Sequence, residues 1–501
     1  MALAKVNSAA VIGLEAYPVE VEVDISNGLP CFTIVGLPDK AIEESKERVR
    51  SAIKNSGADF PMKRITVNLA PADIKKEGPA YDLAIALGIL VADGQLPEID
   101  DETILVGELA LNGKLRHING ILPVVSSLAQ KYPKIILPDV NKDEAALVKQ
   151  IKILPAECLK DLIFFFKKEK SIPAYIKKIK IQAPDNYEYD MAYVKGQEQA
   201  KRALEIAAAG GHNVLMIGPP GAGKTLLART IPSILPSLSD DEILEVTKIY
   251  SVAGLLSNHE PFVNIRPFRS PHHTASNVAL VGGGTYPRPG EITLAHRGVL
   301  FMDEFAEFPR SVLEALRQPL EDGIMTVSRA QGSLEFPAKF ILVAAQNPCP
   351  CGYLGDPVKN CICTPTQIIR YQKRVSGPLL DRIDLHIEVP RVKYEKLAEE
   401  KVAEESQKIR LRVEEARKVG QKRLGKANSE MNLKEIKSHC LLDEKSKDLL
   451  KMAVNQLNLS ARQYTRIIKL GRTIADLAKS KNIESAHIAE ALQYRPKERR
   501  Y

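Results

Sequence analysis

The sequence predicts an α/β fold centred on a parallel sheet, preceded by an α+β domain and followed by a helical domain. In residues 194–391, apolar runs typical of buried strands alternate with helical periodicity, as expected for a parallel sheet. Residues 1–170 mix short alternating strands with helices, and residues 171–193 have the composition of a linker. From 392 to 501 the pattern is helical almost throughout. The chain is therefore expected to form two domains and a helical lid, with one linker.

The first segment contains two clear examples of each kind of element. Residues 19–24 and 64–69 alternate apolar and polar side chains, which predicts half-buried strands. Residues 41–56 and 81–92 have the spacing of helices. Strands and helices are therefore interspersed here, as in an α+β domain.

The most informative motif lies in the central segment, between an apolar run at 213–217 and a helix-like run after Thr225. Residues 218–225 read Gly-Pro-Pro-Gly-Ala-Gly-Lys-Thr, which is a phosphate-binding loop in its required strand-to-helix context. Its backbone N–H groups can surround a phosphate, while Lys224 supplies a cation and Thr225 a hydroxyl for Mg²⁺. The nucleotide contacts predicted from this loop are Gly218, Gly221, Ala222, Gly223, Lys224 and Thr225.

A second strand-like run, residues 298–302, ends in the carboxylates Asp303 and Glu304. Asp303 is suited to hold Mg²⁺ together with Thr225, and Glu304 to polarise a water for attack on the γ-phosphate. The two motifs in this order predict hydrolysis of a nucleoside triphosphate.

Two further polar residues follow apolar or helical runs. The strand-like run at 340–346 leads into Asn347, which the carboxyl edge of a parallel sheet would bring beside the γ-phosphate. Arg382 lies between a helix and a strand, where it could reach the nucleotide of a neighbouring subunit. Taken alone, Arg382 would fit a surface salt bridge; the surrounding motifs favour the catalytic role.

This order of motifs resembles that of AAA+ ATPases, and the connecting residues resemble the YifB/ComM group of magnesium-chelatase-related AAA+ proteins. The resemblance covers essentially the whole chain. Its most specific parts are residues 266–274, 282–284, 289–298, 316–321 and 347–352.

The resemblance implies a ring, with six subunits expected, in which each ATP site is shared between neighbours. It also implies that Arg462, in the Ser-Ala-Arg sequence of the lid, is a second sensor of the γ-phosphate. Arg466, four residues further along the same helical face, is the alternative candidate. ATP and Mg²⁺ are the cofactors implied.

Two insertions in the central segment suggest a DNA partner. Residues 260–297 are long and rich in Gly, Pro, His and Arg, and residues 323–336 have the pattern of a β-hairpin. In AAA+ relatives that move DNA, insertions at these places project into the pore. Arg329, His272, His273 or Arg269 could then contact phosphates. The alternative is that both loops only pack subunits together.

The charge distribution agrees with a polyanionic partner. The net charge is +8, and residues 391–501 hold 27 Lys and Arg against 16 Asp and Glu. A basic domain after a nearly neutral body favours nucleic acid, although a solvated helical face would have the same composition. No apolar run is long enough for a membrane span, and the start of the chain has no signal-peptide pattern, so a cytoplasmic protein is expected.

Four of the seven cysteines are clustered. They form two Cys-x-Cys pairs within fifteen residues, a set that could bind Zn²⁺ tetrahedrally or remain four reduced thiols in a surface loop. A metal here would brace the loop after Asn347. The four are Cys349, Cys351, Cys361 and Cys363.

The first segment resembles the proteolytic domain of Lon-type proteases, through residues 75–83 and 106–120. The catalytic serine of that family falls on Ala80 and its lysine on Leu122, so this route to peptide hydrolysis is closed. The resemblance of the whole chain to the YifB/ComM group implies a DNA motor, acting as a branch-migration enzyme or helicase on single-stranded or branched DNA during natural transformation and recombination. The alternative is a chelatase-like ATPase that remodels a protein partner.

Overall fold

The structure is a computed structural model whose described residues are 2–176, 187–257, 259–284, 287–329, 332–392 and 403–496, without the side chains of Ala2 and Arg329. The chain divides into two compact units. The first unit comprises Met1–Ile181 and Ile243–Val263, and the second Gln182–Glu242 and Asn264–Tyr501. Part of the expected linker at 171–193 lies outside the described residues. The finer division into four segments stays a prediction.

A seven-stranded mixed sheet forms the centre of the first unit. The strands of this unit are β1 Ala2–Ile12, β2 Glu15–Ser26, β3 Cys31–Val35, β4 Arg64–Ala70, β5 Thr103–Leu105, β6 Glu108–Leu109, β7 Leu115–Arg116, β8 Lys134–Pro138 and β9 Lys152–Ala156. The sheet order is β3-β4-β2-β1-β5-β8-β9, and β6 pairs with β7. Strand β2 runs antiparallel to β1 and β4, and the remaining pairs of the sheet are parallel. The strands predicted at 19–24 and 64–69 are β2 and β4.

Helices cover this sheet. They are α1 Lys40–Asn55, α2 Asp82–Ala92, α3 Ile121–Leu128, α4 Lys142–Ala145 and α5 Leu159–Phe166. Helices α1 and α2 confirm those predicted at 41–56 and 81–92. Nearly every residue of α2 is buried, and Gly88 allows the helix to approach β2, because a Cβ there would lie 2.8 Å from a Val23 methyl carbon.

The second unit is built on a parallel sheet, as the alternating pattern predicts. Its strands are β10 Val214–Ile217, β11 Phe268–Arg269, β12 Gly282–Gly283, β13 Arg288–Pro289, β14 Val299–Met302, β15 Ile324–Arg329, β16 Gly332–Pro337, β17 Ile341–Gln346 and β18 Leu385–Glu388. Five of them form the main sheet in the order β11-β14-β17-β10-β18, with all neighbours parallel. Strands β15 and β16 form the predicted antiparallel hairpin, whose tip at 330–331 lies outside the described residues.

The helices that follow along the chain include the predicted helical segment. They are α6 Glu198–Gly210, α7 Lys224–Ile234, α8 Asp240–Ala253, α9 Asn277–Val281, α10 Glu291–Leu294, α11 Arg310–Ala315, α12 Arg317–Asp322, α13 Pro365–Gln372, α14 Gly377–Leu380, α15 Ser406–Leu424, α16 Leu433–His439, α17 Glu444–Leu457, α18 Ala461–Leu477 and α19 Ser485–Gln493. In the described part of 403–496 the regular elements are helical, and five of these helices, α15 to α19, lie there.

The main sheet is apolar on both faces, which explains its unbroken apolar runs. Val214 and Met216 pack into one apolar cluster with α6, α7 and the helices of the C-terminal segment. Leu215, which points to the other face, packs into a second cluster with residues such as Phe305 and Leu379. The C-terminal helices therefore share a core with the sheet.

Helix α8 is divided between the units, and no sequence pattern indicated this grouping. From Ile243 onwards its residues belong to the first unit. There the hydroxyl of Ser251 donates to Glu144 Oε1 at 2.5 Å and accepts from the backbone N–H of Gly120 at 3.0 Å. Burial raises the pKa of Glu144, and the hydrogen bond from Ser251 opposes that change.

The positions compared above with a protease dyad are apolar and packed together. Ala80 lies in a short 3₁₀ turn, and Leu122 is fully buried in α3. Both belong to one apolar cluster of the first unit. Neither side chain carries a nucleophile or a base.

Candidate nucleotide-binding site

The phosphate-binding loop connects β10 to α7, and its glycines are required by the backbone. Gly221 and Gly223 have φ angles of 76° and 87°, in the left-handed region that favours glycine. At Gly218 a Cβ would lie 2.1 Å from the carbonyl oxygen of Val389. Ala222, between the two left-handed glycines, is buried. The loop can therefore keep its N–H groups turned towards a phosphate at the start of α7.

Lys224 lies folded over this loop. Its Nζ donates to the carbonyl oxygens of Gly218 at 2.7 Å and Pro219 at 2.9 Å, and to Asn347 Oδ1 at 3.2 Å. Burial lowers the pKa of the Lys224 ammonium, and the nearby Asp303 carboxylate opposes this. A bound phosphate would supply the negative charge that this buried cation lacks.

Three adjacent strands bring the predicted polar residues together. Strand β17 lies between β10 and β14, so Asn347 enters between the phosphate loop and Asp303. The hydroxyl of Thr225 donates to Asp303 Oδ2 at 2.7 Å, and the backbone N–H of Glu304 donates to Asp303 Oδ1 at 2.9 Å. The hydroxyl and carboxylate oxygens are suitable ligands for Mg²⁺.

Glu304 has a partner that the sequence did not indicate. Its backbone is in the left-handed region, with φ of 52°, and its Oε2 lies 2.9 Å from Nδ1 of His273. The ring of His273 lies against that of His272, with centroids 4.1 Å apart. His273 was considered above only as a DNA contact. No sequence signal indicated the contact, because it depends on the pairing of β11 with β14 in the sheet.

These residues surround an open cavity of about 360 Å³. The cavity could accept the phosphates of a nucleotide together with a metal ion. Its lining is Pro220, Gly221, Ala222, Gly223, Lys224, Thr225, Leu226, Asp303, Glu304, Gln346 and Asn347.

Arg382 lies at the amino ends of the sheet strands, whereas the phosphate loop lies at their carboxyl ends. It precedes β18, and its carbonyl oxygen accepts a hydrogen bond of 3.0 Å from Asn213, the residue before β10. The phosphate loop follows the other end of β10, and four strand residues span about 13 Å. Arg382 is therefore absent from the described lining of the phosphate cavity.

Arg462 and Arg466 lie with Arg382, in a cavity of about 1010 Å³. The carboxylate of Glu321 pairs with Arg382 and lies 3.7 Å from Arg462. Burial lowers the pKa of Arg382, and the nearby Arg462 acts in the same direction. The buried Arg382 Nε has no hydrogen-bond partner among the described residues. These cationic groups could bind an anion.

The two lid arginines differ in their contacts. Arg466 is mostly buried, with its Nε 3.3 Å from Asp384 Oδ1 and a further hydrogen bond to the carbonyl of Ile383. Arg462, in the first turn of α18, is 57% exposed. Of the two, Arg462 is the more available to a ligand.

The residues considered as DNA contacts differ in their exposure and in the partners that their side chains already have. Arg269 makes two hydrogen bonds of 2.6 Å to Glu291. His272 is exposed and its Nδ1 lies 2.8 Å from the hydroxyl of Thr274. The prediction for Arg329 concerns a side chain outside the described ones.

The four clustered cysteines do come together. The sulfur atoms of Cys349, Cys351, Cys361 and Cys363 all lie within 4.8 Å of one another. The cluster follows Asn347 directly along the chain.

The fold and the site define the class of protein. A phosphate loop and an Asp-Glu pair follow two strands of a parallel sheet, with a polar residue after the strand between them, as in P-loop ATPases of the AAA+ type. Three family profiles match: "Subunit ChlI of Mg-chelatase" at 21–141, "Magnesium chelatase, subunit ChlI" at 190–397, and "Magnesium chelatase, subunit ChlI C-terminal" at 403–495.

Full-length relatives narrow the class to a family. The chain is 46% identical to the competence protein ComM of Haemophilus influenzae, over 99% of this chain and 98% of ComM. It is 45% identical to the uncharacterised protein YifB of Escherichia coli, over 99% and 97%. The YifB of Salmonella typhimurium is 43% identical over the same shares. The chain belongs to the YifB/ComM family of magnesium-chelatase-related proteins.

Membership of this family implies an ATPase that uses ATP and Mg²⁺. In the described part of the chain, no helix combines the length and the apolar character that crossing a bilayer requires.

Proposed function

We propose that this protein is a ring-forming ATPase that couples ATP hydrolysis to the handling of DNA. Its expected activity is branch migration or helicase activity on single-stranded or branched DNA, in natural transformation and recombination. The observation that carries the hydrolytic part is the convergence of Lys224, Thr225, Asp303, Glu304 and Asn347 on one cavity.

In this proposal the loop and Lys224 bind the β- and γ-phosphates, and Thr225 and Asp303 hold Mg²⁺. Glu304 accepts a proton from the attacking water or orients it, and Asn347 contacts the γ-phosphate. The terminal P–O bond breaks with ADP as the leaving group. Lys224 already lies within hydrogen-bond distance of Asn347, so both can contact the same phosphate.

The position of Arg382 supports the ring. Because this residue lies across the sheet from its own phosphate loop, it is better placed to meet the nucleotide of a neighbour. Arg462 lines the same cavity and would meet the same neighbouring γ-phosphate. Such head-to-tail contacts close into a ring, for which six subunits are expected.

Three features support DNA as the substrate. A full-length relative is named a competence protein. Residues 391–501 carry a net charge of +11. The β15–β16 hairpin brings Arg329 close to its tip. Peptide hydrolysis is not proposed, since Ala80 and Leu122 occupy the positions of a protease dyad.

The alternative function is remodelling of a protein partner, favoured by the match of all three chelatase profiles. Measuring ATP turnover with and without a branched DNA discriminates between the two. Stimulation by DNA supports the motor. Turnover that no DNA alters would contradict it and favour the protein partner.

The contact between His273 and Glu304 gives one prediction. His273 lies in the long insertion considered to contact DNA, and it holds the catalytic carboxylate at 2.9 Å. In His273→Ala we expect DNA-free ATP turnover to rise several-fold and its stimulation by DNA to shrink, because the carboxylate is no longer held. The measurement is the ratio of turnover with and without DNA, with His259→Ala, an exposed histidine outside the considered DNA contacts, as the matched control. An unchanged ratio would show that the contact does not link the insertion to hydrolysis.

A second prediction concerns salt. The chain has no Trp, and only 5% of its residues are aromatic, so DNA binding is expected to be electrostatic. Each neutralised phosphate lowers log affinity by roughly 0.7–0.9 per unit of log salt, so one contact in each of six subunits gives a slope of about −4 to −5. Arg329→Ala should flatten this slope, whereas Arg116→Ala, an exposed arginine of the first unit, should leave it unchanged. Salt-independent affinity would contradict the proposal.

A further inference from the structure

The loop that follows Asn347 brings four sulfur atoms to one point. Three of their separations are 3.4 Å (Cys349 to Cys351), 3.6 Å (Cys351 to Cys361) and 3.7 Å (Cys349 to Cys361). Four sulfurs placed about 2.3 Å from a central ion at the corners of a tetrahedron are roughly 3.8 Å apart. The observed separations are therefore close to those of one four-coordinate ion. Three mutually close sulfurs also do not suit a multinuclear iron–sulfur cluster, in which no iron atom binds more than two of the four cysteines.

The backbone around the cluster favours thiolates. The N–H of Cys351 donates to the sulfur of Cys363 at 3.4 Å, and the N–H of Cys363 donates to the sulfur of Cys361 at 3.4 Å. Cys349 is fully buried, and the other three are half-buried. The site is thus shielded but remains within reach of solvent.

The loop between the two cysteine pairs is fixed independently of any metal. Asp356 Oδ1 accepts from the backbone N–H groups of Val358 at 2.8 Å and Lys359 at 3.1 Å. Its other oxygen accepts from Arg391 Nε at 2.6 Å, and the Arg391 guanidinium lies over the ring of Tyr353. The two Cys-x-Cys pairs are therefore held facing each other, so less entropy is lost when they close on an ion.

The same loop is connected to the nucleotide site in two ways, once along the chain and once through a packing contact. Cys349 is two residues after Asn347, whose side chain accepts from Lys224. Gly352 lies against Pro220 of the phosphate loop, where a Cβ would be 2.6 Å from the proline Cδ. A change in the loop would therefore reach both Asn347 and Pro220.

We propose that Cys349, Cys351, Cys361 and Cys363 bind one Zn²⁺ ion per chain, and that this ion holds the loop against Pro220 and Asn347. Zn²⁺ suits four thiolates, has no redox chemistry of its own and accepts a closed tetrahedral site. The ion has a structural role, because four protein ligands leave no open position for substrate.

The binding test uses the full-length protein and measures metal directly. Elemental analysis should find one zinc per chain, and titration of the thiols with a mercurial should release it. Replacing zinc by Co²⁺ should give the visible absorption bands of a tetrahedral thiolate site. Cys361→Ser with Cys363→Ser should lose the zinc, whereas Cys31→Ser and Cys158→Ser should retain it. A purified wild-type protein without zinc that also fails to bind added Zn²⁺ or Co²⁺, or one with iron in its place, would overturn the proposal.

The effect on nucleotide rests on the function proposed above and is measured separately. Zinc release by the mercurial in wild type should weaken binding of a fluorescent ATP analogue several-fold, with the Cys31→Ser protein as a control for unrelated thiol modification. Because zinc is removed from the wild-type protein, this measurement does not depend on whether a cysteine variant folds. If the protein contains zinc but its release leaves ATP binding unchanged, the metal site stands and its effect on the nucleotide site is overturned. ATP binding in Lys224→Ala tests the nucleotide site separately, without any change to the cysteines.

Discussion

Replacing Glu304 by glutamine is expected to stop ATP turnover while ATP binding persists. The variant retains Thr225 and Asp303, whose side chains lie 2.7 Å apart and would still hold Mg²⁺. It loses the carboxylate that would take a proton from the attacking water, a contribution of about 10²–10⁴ in rate. Turnover and equilibrium binding of ATP, measured on the same preparation, check this expectation.

Lys224→Ala is the contrasting variant. The ammonium is buried against the phosphate loop, and its removal deletes the charge that would meet the phosphates. Binding itself should weaken in this variant. If both variants lost binding to the same extent, the division of roles between Lys224 and Glu304 would be wrong.

Much of the second unit could be predicted because its signals are local. A phosphate loop requires a strand before it and a helix after it, and apolar runs buried on both faces predict a parallel sheet. The hairpin formed by β15 and β16 was predicted in the same way, from alternation around a turn. Each of these features is encoded within about twenty residues.

The contacts that escaped prediction join distant parts of the chain. Glu304 meets His273 only because β11 and β14 are neighbours in the sheet, and sequence alone does not give strand order. Likewise, Glu321 is shared by Arg382 and Arg462 because α12 lies near the start of β18 and the lid. A charged residue on a helix carries no local sign of such partners.

The grouping of Ile243–Val263 with the first unit has the same origin. Ser251 is one of many serines in the sequence, and only the fold brings it to Glu144 and Gly120. A buried carboxyl group that receives hydrogen bonds looks in the sequence like any surface glutamate. The sequence predicts elements well, whereas polar contacts between elements depend on the tertiary structure.

Arg382→Ala is expected to be inactive on its own while still binding ATP. An arginine that stabilises the transferred phosphoryl group is worth about 10³–10⁵ in rate, so the loss should be close to complete. Arg382 lies across the sheet from its own phosphate loop, so ATP binding to the variant's own site should persist. Arg370→Ala, which removes an exposed arginine on α13, is the matched control and should retain turnover.

Mixing two inactive variants tests whether Arg382 acts on a neighbour. Glu304→Gln subunits bind ATP without hydrolysing it, but they carry an intact Arg382. Arg382→Ala subunits lack the arginine, but they carry an intact Glu304. In an equal mixture, about a quarter of the interfaces in a head-to-tail ring would combine an intact site with an intact arginine.

Turnover should therefore reappear in the mixture, towards about a quarter of the wild-type rate if every interface acts independently. Unfolding temperatures of both variants, compared with that of wild type, separate this effect from misfolding. If the mixture is as inactive as its components, an intact Arg382 in one chain does not restore the site of its neighbour. That result would contradict the shared site. Arg382 would in that case serve its own subunit, through its contacts with Glu321 and the carbonyl of Pro378.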